Sequence, residues 1–283
     1  MLLRIYTLAL TSTLLLAMGC GASDQQVRAE TPADDQGVGA SATEATDMSP
    51  AALDNFRQPL DPYGQWVEDP VYGTVWVPNS TTVGPDFVPY ETAGHWGLTT
   101  DDQWIWVSDY DWGWAPFHYG RWVWIDGRGW SWIAGSVYAP AWVVWQTGYY
   151  DEAYVGWAPM APTWYWRGGV ATRFVVNPAA RFVYVPSHQV FRPGLREHVV
   201  PEARVSVVAS HSQPYLVASA GGQYHALALA HGPNPSEARI PAVAMPTQRV
   251  GHDPQAIRFQ RQNAAAVRRT PAVNSPRRSR RRH

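Results

Sequence analysis

The sequence predicts an all-β protein: an antiparallel meander, sandwich or barrel-like sheet rich in Trp, with a smaller β/loop appendage and disordered termini. Three observations carry that expectation. All sixteen Trp of the chain fall between Trp66 and Trp166. Within that stretch aromatic and β-branched residues recur with period two, the spacing that places i and i+2 on one face of a strand. Turn residues then separate the runs at intervals of about eight to ten residues, as antiparallel hairpins require.

The runs are Trp104-Ile105-Trp106-Val107, Trp112-Gly113-Trp114, Trp122-Val123-Trp124-Ile125 and Trp130-Ser131-Trp132-Ile133. Each shows two indoles on one side and mostly Ile or Val on the other. Ser108 to Asp111, Asp126-Gly127-Arg128-Gly129 and Ala134-Gly135 punctuate them. Asp-Gly between two alternating apolar runs is the strongest short-range hairpin signal. There is weak internal repetition: Gly113-Trp114-Ala115-Pro116 recurs as Gly156-Trp157-Ala158-Pro159, and Tyr63-Gly64-Gln65-Trp66 echoes Tyr119-Gly120-Arg121-Trp122.

Strands in a sheet lie about 4.8 Å apart, so indoles on facing strands touch and stabilise one another. Most of the Trp are expected to form the core of a chain whose single cysteine, Cys20, permits no internal disulfide. Trp is rarely buried completely and its N–H needs a partner, so a minority should reach the surface. Those beside turns are the candidates for stacking a glycan or a partner protein: Trp112, Trp114, Trp130 and Trp132, with Arg121 and Arg128 as polar handles.

The N-terminus reads as an export signal. Arg4 precedes an apolar run from Ile5 to Met18, too short for a membrane-spanning helix. Leu16-Ala17-Met18-Gly19-Cys20 resembles a bacterial lipobox, in which Cys20 is lipidated; plain secretion with the same cut is the alternative. The expected organisation is a signal peptide over 1–19, a disordered tether over 20–55, a Trp-rich β domain over 56–166, a smaller β/loop extension over 167–250 and a disordered basic tail over 251–283. The tether is Ala-, Asp-, Glu-, Thr- and Ser-rich and cannot bury enough surface to offset its ordering entropy. In the extension, Arg173 to Val176 and Arg181 to Pro186 read as short strands, with apolar runs at Val205 to Ala209 and Tyr215 to Ala218. A hairpin is expected across Gly221-Gly222, and a rigid turn at His231-Gly232-Pro233-Asn234-Pro235.

Formal net charge is −1, so no global field draws the chain to nucleic acid, which is an unexpected partner here. Gln255 to His283 nevertheless carries nine Arg and no acid, and every basic side chain is Arg. Such a run is normally solvated, or grips a polyanion in a salt-dependent way.

Chemistry is thin. The chain has no Gly-x-Ser-x-Gly, no His-Glu-x-x-His and no phosphate-cradling loop. His95 and His118 have acids nearby in sequence, Asp101, Asp102, Asp109, Asp111 and Asp126, but Asp in turns is explained by backbone capping. His118 is expected in an aromatic strand as a structural histidine. No His spacing suggests a metal site, and no cofactor is expected.

From Phe56 to about Val250 the chain resembles Trp-rich bacterial envelope proteins of the domain-of-unknown-function 6600 group. The resemblance rests on Pro62-Tyr63-Gly64-Gln65-Trp66, Tyr72 to Pro78, Gly94-His95-Trp96, Gly113 to Trp122, Gly129 to Trp132, Pro140 to Trp145 and Val155 to Pro159. It implies an exported β-rich protein and supplies no activity. The expectation is therefore a non-catalytic envelope lipoprotein, outer membrane favoured, that binds glycan or a partner protein through exposed Trp. The alternatives are a purely structural or assembly role, and, weaker, a polysaccharide-acting hydrolase using Asp109 or Asp111.

Overall fold

The structure, a computed structural model, describes residues 50–160, 181–216 and 229–269, together with 162, 166, 167, 170 and 171. Cys20, the signal, the tether up to residue 49, the run at 173–176 and the hairpin across Gly221-Gly222 lie outside the described residues; the end of the tether, expected to be disordered, is the helix Pro50–Asp54 with Ala52 buried in the core.

The architecture is antiparallel β, in sheets of four and two strands. The first sheet has the order β1 (Gly64–Asp69), β2 (Gly73–Pro78), β6 (Gly129–Ile133), β5 (Arg121–Ile125). The hairpin of β3 (Gly94–Leu98) and β4 (Trp104–Ser108), which falls between β2 and β5 in sequence, makes a two-stranded sheet of its own. The second four-stranded sheet has the order β11 (Val183–Pro186), β8 (Ala153–Pro159), β7 (Val143–Tyr149), β12 (Ser212–Pro214). Two short strands, β9 (Trp166–Arg167) and β10 (Val170–Ala171), pair with each other. No sheet closes into a barrel among the described residues, and the β2–β6 pairing rests on the one partnership Trp76↔Trp132.

Register places Trp opposite Trp. Across the first sheet Trp66 faces Trp76, Trp76 faces Trp132 and Trp132 faces Trp122, a row of four indoles on one face. Val75, Val123 and Ile133 form a smaller cluster on the other face, as period two demands. Trp96 faces Trp106 in the β3–β4 hairpin, and Trp145 faces Trp157 between β7 and β8. The expected Asp126-Gly127 turn joins β5 to β6, with Gly127 and Gly129 both at positive φ (75° and 88°).

Three further expectations are corrected. Trp112-Gly113-Trp114 and Phe117-His118-Tyr119 are not strands. Residues 109–120 wind through successive turns, with Gly113, Ala115, Phe117 and Tyr119 donating backbone N–H groups to carbonyls three or four residues back. Within this coil Trp112 stacks on Tyr110, 4.5 Å between centroids, and meets Trp76 of β2 edge-on at 5.1 Å.

The apolar run Val205 to Ala209 is helical, within Glu202–Ser210, so the extension is not β and loop alone. Val205, Val208 and Ala209 stand at i, i+3 and i+4, and that face packs with Tyr154, Tyr184 and Val200. Pro201 ahead of the first turn fixes the entry.

The basic tail is a helix over Pro254–Arg269. The Asp253 carboxylate accepts from the backbone N–H groups of Gln255 (2.8 Å) and Ala256 (3.1 Å), capping the first turn. Phe259 then meets Phe56, Tyr119 and Trp114 at 4.8, 5.3 and 5.4 Å between centroids. Tyr119 donates its hydroxyl to the Ala256 carbonyl at 2.8 Å. Composition alone pointed to a solvated tail because the docking face is so small: one Phe and one Ala among Arg and Gln.

The turn at His231 to Pro235 is present, and it reaches the core: the Trp104 indole donates to the Pro233 carbonyl at 2.6 Å.

Candidate binding groove

The expected platforms are mostly interior. Trp112, Trp130 and Trp132 are buried, at 2%, 9% and 0% exposure, and Trp114 is half-buried against Phe56 and Phe259. Trp132 donates its N–H to the Tyr119 carbonyl at 2.8 Å, so nothing pulls it toward water. Arg121 is buried too; its guanidinium lies 3.4 Å from the Trp142 ring centroid and donates to the Gly120 carbonyl at 2.9 Å. Arg128 is half-buried and pairs with Asp69 at 3.2 Å, tying the β5–β6 turn to the end of β1. Proximity to a turn does not by itself select the exposed indole, since Trp130 and Trp124 flank the same turn and only Trp124 is open. In a small protein with several sheets, strand ends are covered by neighbouring elements that sequence spacing does not reveal.

The exposed indole is Trp124, at 41% the most open Trp among the described residues. It stands near the C-terminal end of β5, faces Trp130 across the hairpin, and contacts it edge-on at 5.7 Å. Its N–H donates to Asp126 at 3.1 Å, which fixes the ring plane. The Arg181 guanidinium lies 4.2 Å from the ring centroid. Arg181 is exposed, makes no ion pair among the described residues, and stands over the indole as a cation.

Trp124, Trp130 and Arg181 line one side of a cavity of about 890 Å³. The sheet contributes Gln146 from β7 and Tyr184 from β11, hydrogen-bonded to each other. Glu91 and Arg196 form another wall at 3.6 Å, and the helix from Glu202 closes the far side. Burial raises the Glu91 carboxyl above its usual range, with the Arg196 charge opposing the shift. Burial pushes the Tyr184 hydroxyl up to about 12, so it stays a donor at any physiological pH. The groove thus offers an apolar aromatic floor and a ring of amide, hydroxyl, carboxylate and guanidinium groups. That combination suits a ligand carrying both C–H faces and hydroxyls.

The other titratable candidates are elsewhere. Asp109 and Asp111 are exposed in the coil before β5 and do not line the groove. His95 is on β3, opposite Val107. His118 is buried, with Nδ1 3.1 Å from the Pro140 carbonyl and 3.3 Å from that of Ala139. Two acceptors on one nitrogen require that nitrogen to carry the proton. Burial depresses its pKa to about 4, so it is a neutral structural group at pH 7. Among the described residues no three His, Cys, Asp or Glu side chains are gathered to hold a metal ion, and no helix is long and apolar enough to cross a membrane.

Residues 57–164 match the model of a family of unknown function, DUF6600. This stretch is a DUF6600 domain. It runs from before β1 to just past β8 and contains every Trp of the chain except Trp166. No curated protein and no solved structure matches the chain. The DUF6600 domain supplies Glu91, Trp124, Trp130 and Gln146 to the groove, whereas Arg181, Tyr184, Arg196 and Glu202 come from beyond its end. The groove is therefore a junction between the domain and the segment that follows. For that reason reading the Trp runs alone missed it. Arg181-Phe182, where a cation precedes an alternating strand, was the one available signal, and nothing in it names Trp124 as a partner.

Proposed function

We propose that this protein is a non-catalytic module of the bacterial cell envelope, held by a lipid on Cys20, that binds glycan in the groove around Trp124. The observation that carries the reading is the placement of one exposed indole, braced by Trp130 and Arg181, in a cavity lined by Gln146, Tyr184 and Glu91. Sugar rings present C–H faces that lie on indoles and hydroxyls that need donors and acceptors at the rim. The apolar run ending at Met18, just ahead of Cys20, supports export and anchoring.

A structural or assembly role is favoured by a different observation: eleven Trp among the described residues are buried, so the indoles chiefly build the core. The two readings separate at Trp124. Calorimetric titration of the protein with peptidoglycan fragments, lipopolysaccharide sugars and neutral polysaccharides should show saturable binding to one class. Trp124→Ala should remove it while the far-UV and thermal profiles stay close to the parent. Absence of binding to every class, or binding indifferent to Trp124→Ala, would leave the structural reading in place.

A further inference from the structure

The C-terminal helix, Pro254–Arg269, carries a second surface, independent of the glycan groove. Its inner face is already occupied. Ala256 is buried and Phe259 is held by Phe56, Trp114 and Tyr119, so this helix cannot roll over to insert an apolar face elsewhere. On the outside, Arg258 and Arg261 are one turn apart, exposed, and without an ion-pair partner among the described residues. They line a cavity of about 600 Å³ with His252, Pro254, Ile257 and Gln262. The nearest acids are engaged: Asp253 caps the helix, Asp102 pairs with Arg249 at 2.7 Å, and Asp101 lies 4.0 Å from His252 while accepting from Thr99 and Gln103. The helix ends in Arg268-Arg269, and five more Arg follow at 277, 278, 280, 281 and 282, with no acid from Pro254 to the end of the chain.

We propose that this face docks on an anionic membrane surface, with Arg258 and Arg261 each taking the phosphate of a lipid headgroup. Guanidinium forks match phosphate oxygens two at a time, and a rigid helix presents them at fixed spacing along a flat charged plane. The lining favours lipid over other polyanions. Ile257 and Pro254 beside the Arg pair suit a headgroup with its glycerol and ester carbons. A nucleic-acid strand would call for stacking rings, and the rings here are engaged: Phe259 is turned into the protein and His252 packs edge-on against Tyr138. A basic helix whose apolar face is satisfied by its own protein binds a surface electrostatically and without insertion, hence reversibly and in a salt-dependent way.

The test is vesicle sedimentation of the full chain, comparing phosphatidylcholine alone with phosphatidylcholine containing about one third phosphatidylglycerol. Any N-terminal anchor contributes equally to both, so the ratio of the two affinities reads the electrostatic face. A preference of about tenfold or more for the anionic vesicles is expected, falling towards unity as salt is raised and falling several-fold in the double variant Arg258→Ala, Arg261→Ala. Intrinsic Trp emission, dominated by the buried indoles, should not change in that variant. Equal binding to both vesicles would overturn the proposal. So would an unchanged preference in the double variant, which would assign the effect to the Arg run at 277–282. Competition by a phosphate-free polyuronate as strong as by the anionic vesicles would overturn the lipid assignment in favour of an unselective polyanion grip.

Discussion

The Trp106 ring occupies the space that a Cβ on Gly94 would need, its Cζ2 only 2.5 Å from that position. The relationship repeats. Trp76 fills the same place over Gly64, at 2.4 Å, and the Trp132 Nε1 lies 2.8 Å from the Cβ position of Gly120. In each case the glycine stands two residues before a Trp that pairs across the hairpin with the covering indole: Trp66↔Trp76, Trp96↔Trp106 and Trp122↔Trp132. The Tyr-Gly-x-Trp echo in the sequence is thus a packing rule. A strand opens with a bare backbone so that the neighbouring indole can lie flat on it.

Alanine at these glycines should therefore be costly, and unequally so. Gly94→Ala must push back Trp106 and the Val107 carbonyl, whose oxygen is also 2.5 Å from the Cβ position, and should lose about 1 to 3 kcal/mol. Gly120→Ala should lose more. Its φ is +63°, and a Cβ there would come within 2.0 Å of the Ile133 carbonyl oxygen, which cannot rotate away. Urea unfolding of the two variants beside the parent checks the order; equal stabilities would refute it.

Indole hydrogen bonds should divide the buried Trp into two groups. Trp132 donates to the Tyr119 carbonyl and Trp157 to that of Tyr90, at 2.8 and 2.9 Å. Trp96, Trp106, Trp122 and Trp145 have no acceptor for Nε1 among the described residues. Replacing Trp by Phe trims similar volume everywhere, but at Trp132 it also strips a buried carbonyl of its donor. Trp132→Phe should be less stable than Trp122→Phe by about 1 to 3 kcal/mol, measured by denaturant midpoints at constant slope.

Arg121 acts in the core as a flat, largely apolar plate on Trp142. Lys at this position keeps a charge but loses the planar stack, whereas Met keeps most of the volume and sheds the desolvation cost. Arg121→Met is expected to be at least as stable as Arg121→Lys, and both should exceed Arg121→Ala, which leaves a cavity costing about 2 to 5 kcal/mol. Thermal melts of the three variants decide it.

His118 makes stability fall in acid. Its folded-state pKa is depressed to about 4, chiefly by burial, with the nearby Asp253 charge and the carbonyls of Ala139 and Pro140 opposing and His252 adding to the depression. The unfolded chain, with its histidine in the ordinary range near 6.5, binds a proton that the folded chain refuses. Stability from this group is therefore full above about pH 6.5 and is lost progressively as pH falls towards 4. Urea midpoints taken across that window should drop in the parent and drop less in His118→Gln. An identical pH slope in both would remove His118 as the cause.

Period-two patterning and turn chemistry determined that the chain folds as antiparallel hairpins, because alternation and Asp-Gly turns are local properties written in neighbouring residues. They located β5 and β6, set indoles against indoles, and left Cys20 without an internal disulfide partner. They failed where a short apolar run serves two periods, so Val205 to Ala209 became helix once the sheet offered a surface for its i, i+3 and i+4 side chains. They failed again where charge outweighs a few docking residues, as along Pro254–Arg269. Which indole meets solvent was a tertiary decision throughout. Trp112 is covered by Trp76 and Trp132 by Phe56, both distant in sequence, and Trp124 is left open with Arg181 upon it. Exposure depends on what packs over a strand end, and that is fixed by the arrangement of all the sheets together rather than by the residues on either side.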